Sequence, residues 1–197
     1  MRVLGITGGI ATGKSTVTRM LADLGAPTMS ADTVARDLLA PGTAATHAVL
    51  AVFPACADPA DHQTIDRRAL GRLVFADPSA RAQLEALTHP AIIAALQSQI
   101  AAWHLSQTAR AAAAEIPLLF EAGLDSQVDL IVVVTCTESL QITRLQARLG
   151  VDEAKARRQL AAQWPLAEKA ARADVLITTD RDLAATQKQV EALWNTL

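Results

Sequence analysis

The sequence predicts an α/β protein: a three-layer α/β/α arrangement in which a mostly parallel sheet carries helices on both faces. Three observations predict it. Short apolar runs at 3–6, 28–30, 111–116, 128–136 and 175–178 alternate with segments of helical period, the order that yields parallel strands joined by helical crossovers. The run 128–136 is almost continuously apolar, as expected of a strand covered on both faces. A glycine-rich turn directly follows the first strand and opens a helix. Right-handed crossovers put such a turn at the carboxyl edge of the sheet, where ligands collect.

That turn reads Gly8-Gly9-Ile10-Ala11-Thr12-Gly13-Lys14-Ser15, the pattern G-x-x-x-x-G-K-S. Its glycines permit backbone angles that let successive N–H groups face inward around phosphate oxygens. Lys14 supplies a point charge to the outer phosphates, and the Ser15 hydroxyl suits one octahedral position of Mg²⁺. The helix that follows aims its positive end at the same oxygens. Gly8, Gly9, Ala11, Thr12, Gly13, Lys14, Ser15 and Thr16 are therefore expected to hold a nucleoside triphosphate. A chance match in a chain of this length is roughly a one-in-a-hundred event. Context strengthens it, because Val17, Met20, Leu21 and Leu24 give the helix an apolar stripe that stops at Gly25, with Pro27 beyond.

At 197 residues, 51% of them apolar, the chain fits one α/β core with insertions. No apolar run approaches the ~20 residues that cross a bilayer, and the start shows no leader pattern, so a cytoplasmic protein without membrane association is expected. The net charge of −2 argues against a nucleic-acid partner. Of two cysteines, Cys136 ends the apolar run and reads as a buried thiol, so neither a disulfide framework nor a metal site is expected.

Two stretches exceed a minimal five-strand core. Residues 32–108 read as mostly helical, over 33–39, 43–53, 67–75, 80–87 and 91–105, punctuated by prolines including His89-Pro90. An insertion there is a natural place for a second substrate. Residues 151–173 follow the Gly150 stop and are dense in charge, as a lid would be. The nucleotide-binding core is then 1–31, 109–150 and 174–197.

Several side chains could do chemistry. Asp32 follows the second strand, where a carboxylate could accept a hydroxyl proton or orient an attacking oxygen; the equally simple reading is a cap for the helix 33–39. Glu115 ends the third strand and could hold a water on Mg²⁺, with Glu121 the competing acid. Arg144 and Arg148 lie four apart on one helix face, and at least one is expected to meet developing phosphoryl charge. His89 before Pro90 is explained by a helix start alone.

Phosphate loops serve switches, motors and kinases alike. The guanine clamp Asn-Lys-x-Asp is excluded, since Asn195 is the only asparagine, and no Asp-x-x-Gly switch or Leu-Ser-Gly-Gly-Gln signature occurs. A small-molecule kinase remains, with a nucleoside or nucleoside-monophosphate kinase as one alternative and an ATP-dependent assembly factor as another.

Leu4-Gly5-Ile6-Thr7-Gly8-Gly9-Ile10, the phosphate loop, Ala31-Asp32-Thr33-Val34-Ala35-Arg36, Leu87-Thr88-His89-Pro90-Ala91-Ile92, Pro117-Leu118-Leu119-Phe120-Glu121 and Ala161-Ala162-Gln163 occur in this order. Their types and spacings resemble the dephospho-CoA kinases. The resemblance implies a phosphate-loop kinase fold with a helical CoA-binding insertion and a lid. It implies ATP–Mg²⁺-dependent phosphorylation of the ribose 3′-hydroxyl of dephospho-CoA, the last step of coenzyme A synthesis; a monomer is expected. Asp32, Lys14 and Arg144 would be catalytic, with Arg148 on the nucleotide. Asp32, Arg36, His89 and Leu118 would face the acceptor, and Ser15 and Glu115 the metal. Two departures stand out: Ser30-Ala31-Asp32 replaces a frequent Asp-Ala-Asp, and Thr178-Thr179-Asp180 stands where Asn-Asn-Gly or similar is usual.

Overall fold

The computed structural model describes all residues, Met1–Leu197. Five strands, β1 (Arg2–Gly8), β2 (Thr28–Ser30), β3 (Ala111–Glu115), β4 (Leu130–Thr135) and β5 (Val175–Thr178), form one sheet in the order β2-β3-β1-β4-β5. Every pairing is parallel. Strand β1 is central, with Ile6 in register with both Glu115 of β3 and Val132 of β4. Its carboxyl end therefore lies between the two strands that deliver the remaining polar groups.

The least obvious strand is β3, whose sequence is AAAAE. Alanine favours helix by intrinsic propensity, yet Ala111, Ala112, Ala113 and Ala114 are all fully buried between β1 and β2. Burial on both faces overrides propensity here, because small side chains let helices approach the middle of the sheet closely.

Helix α1 (Lys14–Asp23) places Val17 and Leu21 against Leu4, Ile6, Ala111, Ala113, Val132 and Val134, and Val190 and Leu193 of α9 (Leu183–Thr196) complete the same cluster. The opposite face carries α6 (Glu138–Leu149), α7 (Glu153–Ala161) and α8 (Leu166–Ala170). Ile142 and Leu145 of α6 pack with Ala156 of α7, and Ile10 and Ala11 of the phosphate loop join them.

Strand β4 is shorter than the apolar run 128–136. Asp129 supplies the reason: its backbone N–H donates to the Val3 carbonyl, 2.9 Å, while its carboxylate accepts from Val3 N–H, 2.7 Å. A side chain replaces the ladder at that point, and Nε2 of His104 lies 3.0 Å from the same oxygen.

The chain divides into two compact units, Met1–Ser30 with Gln99–Leu197, and Ala31–Ser98. The second contains α2 (Ala31–Leu38), α3 (Ala44–Val52), a 3₁₀ turn at Pro54–Cys56, α4 (Arg67–Ala76) and most of α5 (Pro78–Leu105). Val49, Phe53, Cys56, Ile65, Leu70 and Ala80 form its core. Thr43 and Asp66 cap α3 and α4 by accepting from backbone N–H groups, each cap worth about 1 kcal/mol.

One sequence expectation fails in this unit. Helices 80–87 and 91–105 are a single helix, α5, of 28 residues with Pro90 inside it. The start signal belongs instead to Pro78, preceded by Asp77, whose carboxylate accepts from Ser79 N–H at 2.8 Å. An interior proline costs about 3 kcal/mol, but packing anchors the helix on both sides of it: Leu84 and Leu87 before, buried Leu96 and Ile100 after.

Candidate active site

The segment from Gly8 to Ser15 connects β1 to α1 in one tight turn. At Gly8 φ is +142°, and a Cβ would collide with the carbonyl oxygen of Val134 on the adjacent strand. Ala11 holds φ at +59°, a conformation that an L-residue keeps only when its surroundings enforce it.

Those surroundings are a set of donors that take the loop's carbonyls. Lys14 Nζ donates to Gly8 O at 3.2 Å and to Gly9 O at 2.7 Å. Gln141 Nε2 donates to Ile10 O at 2.7 Å, and Arg144 Nη1 to Ala11 O at 3.3 Å. The hydroxyl of Thr179 donates to Thr12 O at 2.7 Å. In a trans peptide the C=O and the following N–H point in opposite directions, so each carbonyl drawn outward turns the next amide inward. The N–H groups of Ala11, Gly13 and Ser15 find no acceptor within the protein. They are the groups an anion would satisfy.

Arg144 does more than hold Ala11. Its Nη1 and Nη2 donate to the hydroxyl and the carbonyl of Thr179, 2.9 Å each, tying the loop after β5 to the phosphate loop. Arg148, one turn on, is exposed. At the end of β5, Asp180 accepts from the Thr178 hydroxyl at 2.6 Å and from Thr137 N–H at 2.7 Å. These bonds, the Thr178 hydroxyl foremost, hold its carboxyl below the usual carboxylate range.

Across the loop, the Ser15 hydroxyl donates to Oε1 of Glu115 at 2.7 Å. Glu115 is buried at the end of β3 while Ser15 is exposed. The other candidate acid, Glu121, is committed elsewhere, 2.8 Å from Nζ of Lys169, a side chain with no exposed surface. Lys169 also donates to Pro117 O at 2.9 Å, the carbonyl that accepts from Thr7 at 3.2 Å. Phe120 and Trp164 stack with ring centroids 6.2 Å apart, and the Arg172 guanidinium lies 5.5 and 5.1 Å from their respective centroids. Helix α8 and the connection after β3 are therefore locked together beneath the loop.

The segment 151–173 reaches the phosphate loop through Gln163, whose Oε1 accepts from Ile10 N–H at 2.8 Å. Arg157 of α7 pairs with Glu153 at 2.8 Å and with Glu138, at the start of α6, at 2.6 Å. A cleft of about 820 Å³ opens between this segment and the loop, lined by Gly9, Ile10, Gln163, Trp164, Leu166 and Ala170 among others. Cys136 also borders it, and burial pushes its thiol above the usual cysteine range.

The first unit thus gathers Gly8 through Ser15, Thr16, Glu115 and Arg144 at one sheet edge. Leu118 is 40% exposed on the connection after β3. Asp32, Arg36 and His89 belong to the second unit and are exposed there. Asp32 lies inside the first turn of α2, so the cap reading does not hold. His89 sits within α5 and opens no helix. The Arg36 carbonyl accepts from Arg67 at 3.1 Å. Sequence reasoning gave no task to Gln141, Gln163, Thr179 and Lys169. Gln163 carried a signal through its place in a family-like motif, and Thr179 through the departure Thr178-Thr179-Asp180; Gln141 carried none.

The family model for dephospho-CoA kinase matches residues 2–185. The chain belongs to the dephospho-CoA kinase family. A dephospho-CoA kinase of Geobacter metallireducens is 46% identical over 194 residues, covering 98% of this chain and 96% of the relative. One from Geobacillus kaustophilus is 40% identical, covering 98% and 97%. Among solved structures, the dephospho-CoA kinase of Campylobacter jejuni superposes with a TM-score of 0.72 at 26% identity, covering 99% of this chain and 96% of that one. A shikimate kinase of Acinetobacter baumannii, at 16% identity and a TM-score of 0.52 over 100% and 92% of the two chains, shares the fold alone. Within the dephospho-CoA kinase family the phosphate loop marks an ATP-using kinase. No helix of this family member is long and apolar enough to cross a membrane.

Proposed function

We propose that this member of the dephospho-CoA kinase family transfers the γ-phosphoryl group of ATP to the ribose 3′-hydroxyl of dephospho-CoA, giving CoA and ADP. The observation that carries the reading is the phosphate loop, in which every carbonyl from Gly8 to Thr12 is taken by a donor while the amides of Ala11, Gly13 and Ser15 have none. Such a cradle is preorganised for a triphosphate and needs little rearrangement to bind it.

In this reading the chain supplies position and charge. The inward amides and Lys14 hold the β- and γ-phosphates. Arg144, already fixed by Thr179, presents its remaining donor capacity to charge that develops on the transferring group. Asp32 leaves the sheet edge two residues after Ser30, which is in register with Glu115. In the proposed mechanism it orients the acceptor hydroxyl and takes its proton as the bond to phosphorus forms. Arg36 and His89 serve the acceptor, as does Leu118, and Arg148 serves the nucleotide. Residues 151–173 act as the lid that keeps water from the γ-phosphate.

The donor set suits Mg²⁺. A hydroxyl and a buried carboxylate 2.7 Å apart are hard oxygen ligands, and no cluster of three or more His, Cys, Asp or Glu side chains forms a full protein cage. Mg²⁺ typically takes one or two protein oxygens and completes its shell with phosphates and water. When bound, it neutralises phosphate charge. Ser15 would ligate it directly, and Glu115 would hold one of its waters.

The reading extends to a monomer working in the cytoplasm. An acceptor panel of dephospho-CoA, nucleosides, nucleoside monophosphates and shikimate, read by ADP release, tests it. Dephospho-CoA alone should stimulate release strongly. Equal or greater stimulation by a nucleoside monophosphate would overturn the acceptor assignment.

A further inference from the structure

The motif Ala161-Ala162-Gln163 has no task in the reading above. Gln163 lies between α7 and α8 and is partly buried. Its Oε1 accepts from Ile10 N–H at 2.8 Å. That N–H shares a peptide with the Gly9 carbonyl, which accepts from Lys14 Nζ at 2.7 Å and from the Thr12 hydroxyl at 2.9 Å. The two ends of one rigid plane are thus held by Gln163 and by the loop's lysine. The neighbouring peptide is fixed in turn by Gln141, which donates to Ile10 O at 2.7 Å and so directs the Ala11 N–H inward. The hold is not an isolated contact. The Ile10 and Ala11 side chains pack with Ala156 and Leu160 of α7, and Arg157 ties α7 to Glu138 of α6.

We propose that Gln163 is a positioning residue that acts through the Gly9–Ile10 peptide on Lys14. It makes the geometry of the phosphate loop depend on the docking of segment 151–173. This rests on the phosphate-transfer reading for its purpose, but its physical content is the affinity of the loop for a triphosphate. Without the Gln163 acceptor the peptide can rotate. The Gly9 carbonyl then shifts from Lys14, and the strained turn at Ala11 keeps Gln141 and Arg144 but loses Gln163.

Hydrogen exchange and calorimetry test this on the full chain. In the nucleotide-free wild type, the Ile10 amide should be protected while those of Ala11 and Gly13 exchange quickly. Gln163→Met keeps the side-chain length and removes the acceptor. It should release Ile10 exchange and weaken ATP binding about five- to tenfold, the size of one lost neutral hydrogen bond. Gln163→Glu retains an acceptor and should restore Ile10 protection, which a merely structural role for the side chain would not require. Fast Ile10 exchange in the wild type overturns the proposal without any variant. So does a folded Gln163→Met protein with wild-type ATP affinity, or one whose Ile10 stays protected. Binding is read with ATP alone, so a failure of dephospho-CoA to act as acceptor sinks the functional reading and leaves this test standing.

Discussion

The guanidinium of Arg144 donates to both the hydroxyl and the carbonyl of Thr179, at 2.9 Å each, while the same Thr179 hydroxyl donates to Thr12 O at 2.7 Å. A helix after β4, a loop after β5 and the phosphate loop are joined through one pair of side chains. Arg144 therefore shapes the nucleotide site even before any phosphate meets it. Arg144→Ala should weaken ATP binding at least tenfold, since hydrogen bonds from a charged donor contribute about 1.5–3 kcal/mol each. Arg144→Lys should recover little of it, because an ammonium cannot span two acceptors as a planar fork does. Calorimetric titration with ATP reads both.

The proposed mechanism gives Lys14 and Asp32 separable tasks. Lys14→Ala should slow transfer about 10²–10³-fold, the range for removing one preorganised charge-stabilising group. Asp32→Ala should lose about 10²–10⁴-fold in kcat, the range for a positioned base, with ATP affinity preserved. Steady-state kinetics of the two variants beside ATP titrations separates them. Normal turnover by Asp32→Ala removes that residue from the mechanism.

The hydroxyl–carboxylate pair of Ser15 and Glu115 predicts a metal effect. Glu115→Ala should raise the Mg²⁺ concentration for half-maximal rate about tenfold, as loss of an outer partner of a metal site commonly does. A Mg²⁺ titration at fixed ATP measures it, and an unchanged midpoint assigns the metal to other oxygens.

Much of this site was legible in the sequence, and the reason is local. Gly8 to Ser15 is a contiguous motif whose backbone geometry is encoded by its own residues, so the cradle follows from the pattern. The positions of the strands along the chain followed from hydrophobic runs, and even the alanine strand was placed within one residue, at 111–116 against 111–115. What holds the cradle was not legible. Gln141, Gln163 and Thr179 come from three distant segments, and even where a motif marked Gln163 and Thr179 it gave no hint that they hold the loop. Only the fold makes their donors and acceptors converge. Pro90 misled for the opposite reason: a strong local signal for a helix start gave way to packing on both sides of it.

Stability should also carry a signature of the fold. Lys169 has no exposed surface and joins Glu121 and Pro117 O. Lys169→Met leaves a mostly buried carboxylate without its partner and should cost about 3 kcal/mol, seen as a lower denaturant midpoint.

Acid should act in part through Asp180, which is lowered in the fold from an ordinary 3.8, as are Asp61 and Asp66. A lowered carboxyl contributes stability above its unfolded pKa and loses it as pH falls through the folded one. Stability should therefore decline as pH drops below about 3.8, and Asp180→Asn should make that part of the profile shallower while Asp61 and Asp66 keep their share. Denaturant melts between neutral and acid pH read the difference.

The most direct measurement is product identity in a single reaction of the purified chain with ATP, Mg²⁺ and dephospho-CoA. The account predicts ADP and CoA in equal amounts, with the new phosphate on the ribose 3′-oxygen by phosphorus NMR. ADP formed without phosphorylated acceptor, or phosphate found at another oxygen, would contradict it.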